Sequence, residues 1–248
     1  MPLGLTSAVG KDYWIRAVTK PRPLSIFNLG NYCFNGLKMR TASAEESLKF
    51  EVAQKIRASI YSGEFKPGQP LRELALAKEL LVSQAVVREA LTHLEPMGLI
   101  RRVPNKGTYV TNPTQEEMRD RLRMRLLIEE IICLDASKLM TSEEFAEASA
   151  LVDSIEAAAK TGDAKQLLDS NTAFHRYLWL KSGSPVLNRT IEQVSAPLHA
   201  FYEISSQPKD AKQQRTILAA MQSKDEASIR KAVRTHLETI FPALSASI

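Results

Sequence analysis

The sequence predicts a mainly α-helical protein in two parts: a short region of three helices with a β-hairpin, and a longer bundle of six helices. Three observations predict this. Apolar residues take up a helical period near residue 47 and lose it at Gly63 and at Lys66-Pro67-Gly68. A strand-like stretch with a central turn follows at 99–113. From residue 114 onward the pattern is helical to the end of the chain, in six segments near 114–140, 142–160, 163–181, 184–205, 208–223 and 225–246.

Periodicity and capping residues predict the first three helices. A second, short apolar helix is expected around 74–81, and Ser83 is a suitable N-cap for a third helix over 84–96. Val87, Leu91 and Leu94 would face inward on that third helix. The first helix is indicated by four apolar residues at every fourth position, namely Leu48, Val52, Ile56 and Ile60.

The segment LIRRVPNKGTYVTNP, residues 99–113, predicts two short strands around Pro104-Asn105-Lys106-Gly107. Two helices, a turn, a third helix and a hairpin form the order of a winged helix-turn-helix, which places its third helix in the DNA major groove. Gln84, Arg88 and Thr92 form a polar stripe opposite the apolar face of that helix. A solvated helix face is the alternative interpretation, and the neighbouring turn and hairpin favour DNA reading.

The side chains on this stripe suit base recognition. Gln can pair with adenine and Arg with guanine, through two hydrogen bonds each. At the hairpin tip, Lys106 and the compact Gly107 could approach a phosphate or enter the minor groove. The candidate DNA contacts are Arg72, Ser83, Gln84, Arg88, Thr92, Lys106 and Gly107.

The chain of 248 residues is long enough for two domains. Residues 1–38 lack a sustained period and predict a disordered tail or a misassigned start, because Met39 opens the first regular segment; a DNA-contacting arm is the alternative. We expect a DNA-binding domain over 39–112 and a helical effector-binding and dimerisation domain over 113–248. Net charge is +4 over 1–38, +3 over 39–113 and −2 over 114–248, which weakly favours a polyanion partner for the front half.

Composition and motifs exclude several classes. Cys33 and Cys133 are far apart and form no C-x-x-C pair, so a disulfide scaffold or cysteine zinc site is not expected, and a reducing cytoplasm fits. The sequence has no apolar run approaching the ~18–20 residues of a membrane span. It lacks a nucleophile elbow, a P-loop, a G-x-G-x-x-G and an H-E-x-x-H, and therefore does not indicate an enzyme.

Residues 74–110, LALAKELLVSQAVVREALTHLEPMGLIRRVPNKGTYV, resemble the signature of the GntR family of bacterial regulators. Arg88 matches that family's main base or phosphate contact, and Lys106 and Gly107 match its wing. Two positions depart from the pattern. Gln84 stands where many members have Arg, and Leu74 stands where a basic or polar residue is common. The resemblance implies a DNA-binding regulator whose sequence preference differs from that of the best-known members.

The helical half resembles the FadR-like subgroup with its FCD sensor domain. The resemblance rests on RLLIEE at 125–130, NTAFHRYL at 171–178, SGSPVL at 182–187, ILAAMQSKD at 217–225 and His236. It implies a bundle around a cavity in which a metal often helps to hold a small carboxylate effector.

The family's metal ligands, an Asp and three His, correspond here to Asn171, His175, Gln214 and His236. Amide oxygens bind transition metals poorly compared with carboxylate or imidazole. His175 and His236 therefore predict a weak or lost zinc or nickel site, and no cofactor is certain. The alternative is that both histidines are hydrogen-bonded interior residues.

Three further residues are candidates for the effector site. Arg125 could grip a carboxylate bidentately or could be a surface charge paired to Glu129 at i+4. His199 and Tyr202 could line the cavity. The sequence thus predicts a homodimeric, cytoplasmic regulator, a repressor that binds a palindromic operator and is controlled by a small organic acid. The alternative is a constitutive regulator whose helical domain only dimerises.

Overall fold

The computed structural model describes residues 44–201 and 211–245. Within them the chain forms ten helices and a small three-stranded sheet, which confirms the predicted mainly α-helical class. The predicted tail at 1–38 and the candidate Tyr202 lie outside these residues. The elements of the front part are α1 (Ala44–Tyr61), β1 (Pro70–Leu71), α2 (Glu73–Leu80), α3 (Gln84–Leu94), β2 (Ile100–Val103) and β3 (Gly107–Val110).

The three helices of the front part share one apolar core with the sheet. α3 begins at its predicted cap, where the Ser83 side chain accepts a hydrogen bond from the Val86 N–H at 3.3 Å. Val87, Leu91 and Leu94 are buried as predicted. α3 ends at Leu94, two residues before the predicted end at 96, which is within the usual uncertainty of a helix terminus.

The short helix α2 differs from its predicted apolar pattern. Leu74 is 58% exposed, while Leu76 and Ala77 are the residues that enter the core. Leu81 is 90% exposed because it ends the helix in the left-handed conformation, with φ of 56°, and so turns away from the core. This turn sets the direction in which α3 leaves α2.

The predicted hairpin is present and has an additional partner. β2 and β3 pair antiparallel with Ile100 opposite Val110 and Val103 opposite Gly107. β1 pairs with the other edge of β3, which gives the strand order β1-β3-β2. The sequence did not predict β1, since two residues are too few for an alternating pattern.

The second part is a helical bundle that follows the predicted six segments closely. A capping box at Thr114 and Glu117 starts the first helix, and one at Thr141 and Glu144 starts the second. The segment predicted over 225–246 is divided at Phe241, because Pro242 begins a separate short helix. The helices are α4 (Gln115–Leu139), α5 (Ser142–Thr161), α6 (Ala164–Lys181), α7 (Pro185–Phe201), α8 (Lys212–Ser223), α9 (Glu226–Ile240) and α10 (Pro242–Ser245).

Helix α7 belongs to the bundle and also reaches the core of the front part. Ala196 and Ala200 are buried among the apolar residues of the winged region. Beside them, a Cβ at Gly98 would lie 3.0 Å from the Arg121 guanidinium and 3.4 Å from Pro197, so the loop after α3 approaches the bundle closely. Arg121 donates to the Gln193 carbonyl at 3.1 Å and holds α4 against α7. Within the described residues, none of the helices combines the length and apolarity needed to cross a bilayer.

Candidate DNA-reading face and buried polar cluster

The polar stripe predicted on α3 lies on the outer surface of the winged region. Gln84, Arg88 and Thr92 are all exposed, and Arg72 is exposed just before α2. Ser83 is exposed as well, but its hydroxyl accepts the capping bond from Val86. Gln84 and Arg88 therefore present long polar side chains at the N-terminal end of α3, the end that contacts base edges in helix-turn-helix proteins.

Glu73, in the first turn of α2, contacts both of these side chains. Its carboxylate accepts a hydrogen bond from Gln84 Nε2 at 3.0 Å. It also accepts from Arg88 Nε at 3.1 Å and from Arg88 Nη2 at 3.0 Å. The sequence does not predict the contacts of Glu73, because it lies 11 and 15 residues away from its partners and only the turn between the helices brings it there.

The wing is fastened to α3 by Arg102 of β2. Arg102 Nη2 donates to Thr92 Oγ1 at 2.7 Å and to the Arg88 carbonyl at 3.2 Å. The Thr92 hydroxyl itself donates to the Arg88 carbonyl at 2.9 Å. Thr92 is thus engaged inside the winged region, which leaves Gln84 and Arg88 as the side chains of the stripe that extend toward a ligand.

The hairpin tip has the backbone shape that its sequence predicts. Asn105 has φ of 61° and Gly107 has φ of 110°, and Pro104, Lys106 and Gly107 are exposed. A φ of 110° is outside the usual range of L side chains, so Gly107 is required for this turn. The turn leaves the Lys106 ammonium exposed, where it can contact a phosphate.

A second group of predicted residues meets inside the bundle. Arg125 on α4 is fully buried. Its Nε donates to Glu129 Oε1 at 3.2 Å, its Nη1 lies 3.0 Å from His199 Nε2, and its guanidinium lies 5.5 Å from the ring centre of Phe241. The i+4 pair with Glu129 is therefore present, but the alternative in which Arg125 is a surface charge is wrong, because α7 and Phe241, which follows α9, cover it.

The other half of this buried polar cluster joins α6, α8 and α9. His175 Nε2 and His236 Nε2 are 3.1 Å apart, and His175 Nδ1 lies 3.9 Å from Glu129 Oε1. Gln214 Nε2 donates to Asn171 Oδ1 at 2.8 Å. The structure thus brings together Arg125, Asn171, His175, His199, Gln214 and His236, which are the described members of the predicted effector site.

One acceptor in the cluster lacks a bond. Gln214 is fully buried, and its Oε1 has no hydrogen-bond partner among the residues that the structure describes. A buried acceptor without a bond costs about 1–3 kcal/mol. A ligand that donates a hydrogen bond at this point would recover that energy.

The donors at the family's metal position do not fit a tight divalent-metal site. They comprise two imidazoles and two neutral amides, and the Asn171 amide oxygen already accepts from Gln214. Across residues 44–201 and 211–245, no three His, Cys, Asp or Glu side chains are grouped as metal ligands. The role of His175 and His236 as a weak site for zinc or nickel stays a prediction.

We expect the purified protein to retain little stoichiometric metal after dialysis, since Asn171, His175, Gln214 and His236 include no carboxylate to offset a divalent charge. Asn171→Asp together with Gln214→His should restore the family's ligand types and create tight binding. Elemental analysis of both proteins measures this. About one transition metal per wild-type chain that disappears in His175→Ala would contradict the expectation.

Comparisons with known proteins agree with both parts of the fold. Residues 48–110 match the family model of bacterial regulatory proteins of the gntR family, and residues 120–239 match the FCD domain. The Escherichia coli regulator McbR is 27% identical over 192 residues, covering 74% of this chain and 86% of McbR. The Escherichia coli repressor RspR is 25% identical over 179 residues, covering 70% of this chain and 78% of RspR.

Solved structures show the same architecture. That of Escherichia coli McbR/YncC superposes with a TM-score of 0.70 at 23% identity, covering 79% of this chain and 96% of that one. A GntR regulator from Rhodococcus sp. RHA1 gives a TM-score of 0.60 at 22% identity. These relatives are transcriptional regulators, which confirms the expectation of a regulator rather than an enzyme. The chain belongs to the GntR family of bacterial transcriptional regulators, in the FadR-like group that joins the DNA-binding domain to an FCD domain.

Proposed function

We propose that this regulator is a repressor that binds a palindromic operator as a homodimer, with α3 in the major groove and the wing on the adjacent backbone. A small organic acid in the buried polar cluster of the bundle controls its operator affinity. DNA-binding regulation is common to the family, and the relative RspR is named a repressor. Such a protein would work in the cytoplasm, where the DNA is.

The observation that carries effector control is the double contact of α7. His199 on α7 contacts Arg125 inside the cluster. Ala196 and Ala200 on the same helix are packed in the core of the winged region. A ligand that draws Arg125 away from His199 would change the packing of α7 and, through it, the position of the winged region.

The chemistry of the cluster favours an acid as the ligand. Among the described residues of the cluster, one carboxylate, that of Glu129, accompanies the buried guanidinium of Arg125 and the imidazoles of His175, His199 and His236. A second carboxylate could therefore find partners, because guanidinium groups bind carboxylates bidentately. A hydroxyl on the same acid could donate to the open acceptor Gln214 Oε1.

The alternative is a constitutive regulator whose helical domain only dimerises. The many bonds among the cluster's own side chains favour it, since a buried polar network can serve packing alone. A thermal-shift series separates the two, with mono-, di- and hydroxycarboxylates added at millimolar concentration. A sensor should be stabilised by one class of acid by about 2–3 kcal/mol at a hundredfold excess over Kd. Melting temperatures that no acid raises would favour the alternative.

Two arginines on α4 provide a test variant and its matched control for this series. Arg123 is exposed and two residues from the buried Arg125. Arg125→Lys keeps the charge and removes the bidentate fork, so it should abolish the shift. Arg123→Lys should leave the shift unchanged. Equal shifts in the two variants would remove Arg125 from the proposed site.

The dimer has a candidate surface on α4. Met124, Leu127 and Ile131 are 48%, 61% and 44% exposed and share one side of the helix. A row of exposed apolar residues of this kind indicates an interface, and a two-fold axis would place the same row on both copies. We propose a second copy of this chain as its occupant, because regulators of this family act as dimers.

Leu127→Lys should convert the dimer into a monomer, since it places two charges in the centre of an isologous interface. Light scattering at micromolar concentration measures the mass. Leu81→Lys is the control, because Leu81 is an exposed leucine of the winged region. A dimer that survives Leu127→Lys would remove α4 from the interface, and a monomeric wild type, with and without DNA, would contradict the dimer itself.

A further inference from the structure

Glu73 forms hydrogen bonds to both Gln84 and Arg88, whereas a simple surface ion pair would join it to one of them. Its Oε2 accepts from Gln84 Nε2 and from Arg88 Nε and Nη2, and its Oε1 accepts from Arg88 Nε at 3.4 Å. The Glu73 side chain is 23% exposed, against 59% for Arg88. The carboxylate is thus the sheltered member of the group, and the two long side chains converge on it from the next helix.

The contact with Arg88 leaves a defined part of the guanidinium for another ligand. A guanidinium has two edges that can donate two parallel hydrogen bonds, one formed by Nε with Nη2 and one by Nη1 with Nη2. Glu73 takes the first edge. The second edge keeps both of its donors, and this pair can bind O6 and N7 of a guanine. Glu73 therefore selects which edge of Arg88 is presented.

The contact with Gln84 fixes the orientation of its amide. An ionised carboxylate only accepts hydrogen bonds, so the NH2 group of Gln84, and not its oxygen, faces Glu73. The second N–H of that group and the Oε1 atom stay available. Together they form the donor and acceptor pair that matches N7 and N6 of an adenine. A reversed amide would place the donor and the acceptor in the wrong order for adenine.

The electrostatics keep Glu73 in the form that this role needs. The hydrogen bond from Arg88 holds the pKa of the Glu73 carboxyl below its ordinary value, with smaller contributions from the hydrogen bond of Gln84 and the charges of Arg88 and Arg102. The group is therefore ionised at neutral pH.

We propose that Glu73 is a specificity-determining positioning residue, which presents one edge of Arg88 and one orientation of Gln84 to the bases. This inference rests on the proposed reading of DNA by α3. Glu73 acts through its two partners and does not itself bind a base. Its loss should therefore affect the choice between sequences more than the affinity for DNA as such.

The test measures base preference directly. A binding site is first selected from a randomised 20-base-pair duplex library with the full-length wild-type protein. Fluorescence anisotropy then gives Kd for the selected duplex and for duplexes with single base-pair changes. Glu73→Asp is the main variant, because it keeps the charge and shortens the arm by one methylene. Glu73→Gln is the second variant, and it keeps the length but loses the charge.

Matched controls separate position from charge. Glu89 is an exposed carboxylate on α3 that pairs with Lys49 rather than with the reading side chains. Glu89→Asp and Glu89→Gln make the same chemical changes elsewhere in the same domain. Melting curves of all four variants confirm that each remains folded, and Arg88→Ala reports separately whether α3 reads the DNA.

For wild type and both Glu89 variants, we expect single changes at the contacted base pairs to weaken binding about tenfold. In Glu73→Asp the ratio of Kd for a changed duplex to Kd for the selected duplex should fall at least threefold. The affinity for the mixed library should change little. Unchanged ratios in Glu73→Asp would overturn the proposal, as would tighter binding with ratios intact, which would make Glu73 a restraint on Arg88. If Arg88→Ala binds like wild type, the reading role of α3 fails instead.

Discussion

Arg88→Ala should abolish specific operator binding. The structure presents Arg88 at the exposed N-terminal half of α3, where one edge of its guanidinium is available for a guanine. Loss of a bidentate base contact costs about 1–3 kcal/mol per half-site, and a dimer loses it twice. The affinity for a selected two-half-site operator should therefore fall by about two orders of magnitude or more.

Two further variants make this result specific. Arg88→Lys keeps the charge and loses the fork, so it should retain binding to mixed DNA and lose the operator preference. Gln84→Ala should relax sequence preference with a smaller loss of affinity. Mobility-shift titration measures all three variants against wild type. Operator binding by Arg88→Ala at the wild-type Kd would show that α3 does not lie in the groove.

Removing Arg125 should cause the largest loss of stability. Arg125 is fully buried, and its partner Glu129 has a side chain only 4% exposed. Arg125→Met keeps most of the volume but leaves the Glu129 carboxylate without its guanidinium. Breaking a buried ion pair by removing one member costs about 3–5 kcal/mol. For a domain of this size that corresponds to a fall in Tm of about 6–20 °C.

A control variant at Arg123 and a second substitution at Glu129 test whether the loss comes from the broken ion pair. Arg123→Met, at the exposed neighbour, should change the free energy of unfolding by no more than about 0.5 kcal/mol. Arg125→Met combined with Glu129→Leu removes both charges and should recover much of the loss. Denaturant titration measures the free energy of unfolding of each variant and of wild type. An Arg125→Met variant as stable as wild type would mean that the pair carries no net stability and that Glu129 finds other partners.

The parts of the molecule that the sequence predicts are those set by local rules. Ser83 and the apolar period of Val87, Leu91 and Leu94 define α3, because capping and periodicity act within a few residues. Pro104 and Gly107 likewise define the hairpin turn. The capping boxes at Thr114 and Thr141 define the starts of α4 and α5.

The parts that the sequence does not predict depend on how elements pack. The i+4 spacing of Arg125 and Glu129 is visible in the sequence, but their burial depends on α7 and Phe241 covering that face of α4. The bonds of Glu73 depend on the turn at Leu81. The contact of Ala196 and Ala200 with the winged region cannot be recognised in the sequence, because alanine fits almost any helix face.

One titration tests effector control of operator affinity most directly. Kd for the selected operator is measured on full-length protein without ligand and with the carboxylate that raises its Tm most. Coupling of 1–3 kcal/mol between two sites corresponds to a change in Kd of about 5- to 150-fold. We predict a weakening within that range, and its loss in Arg125→Lys. An operator Kd that stays the same while the acid is bound would contradict effector control and support the constitutive regulator.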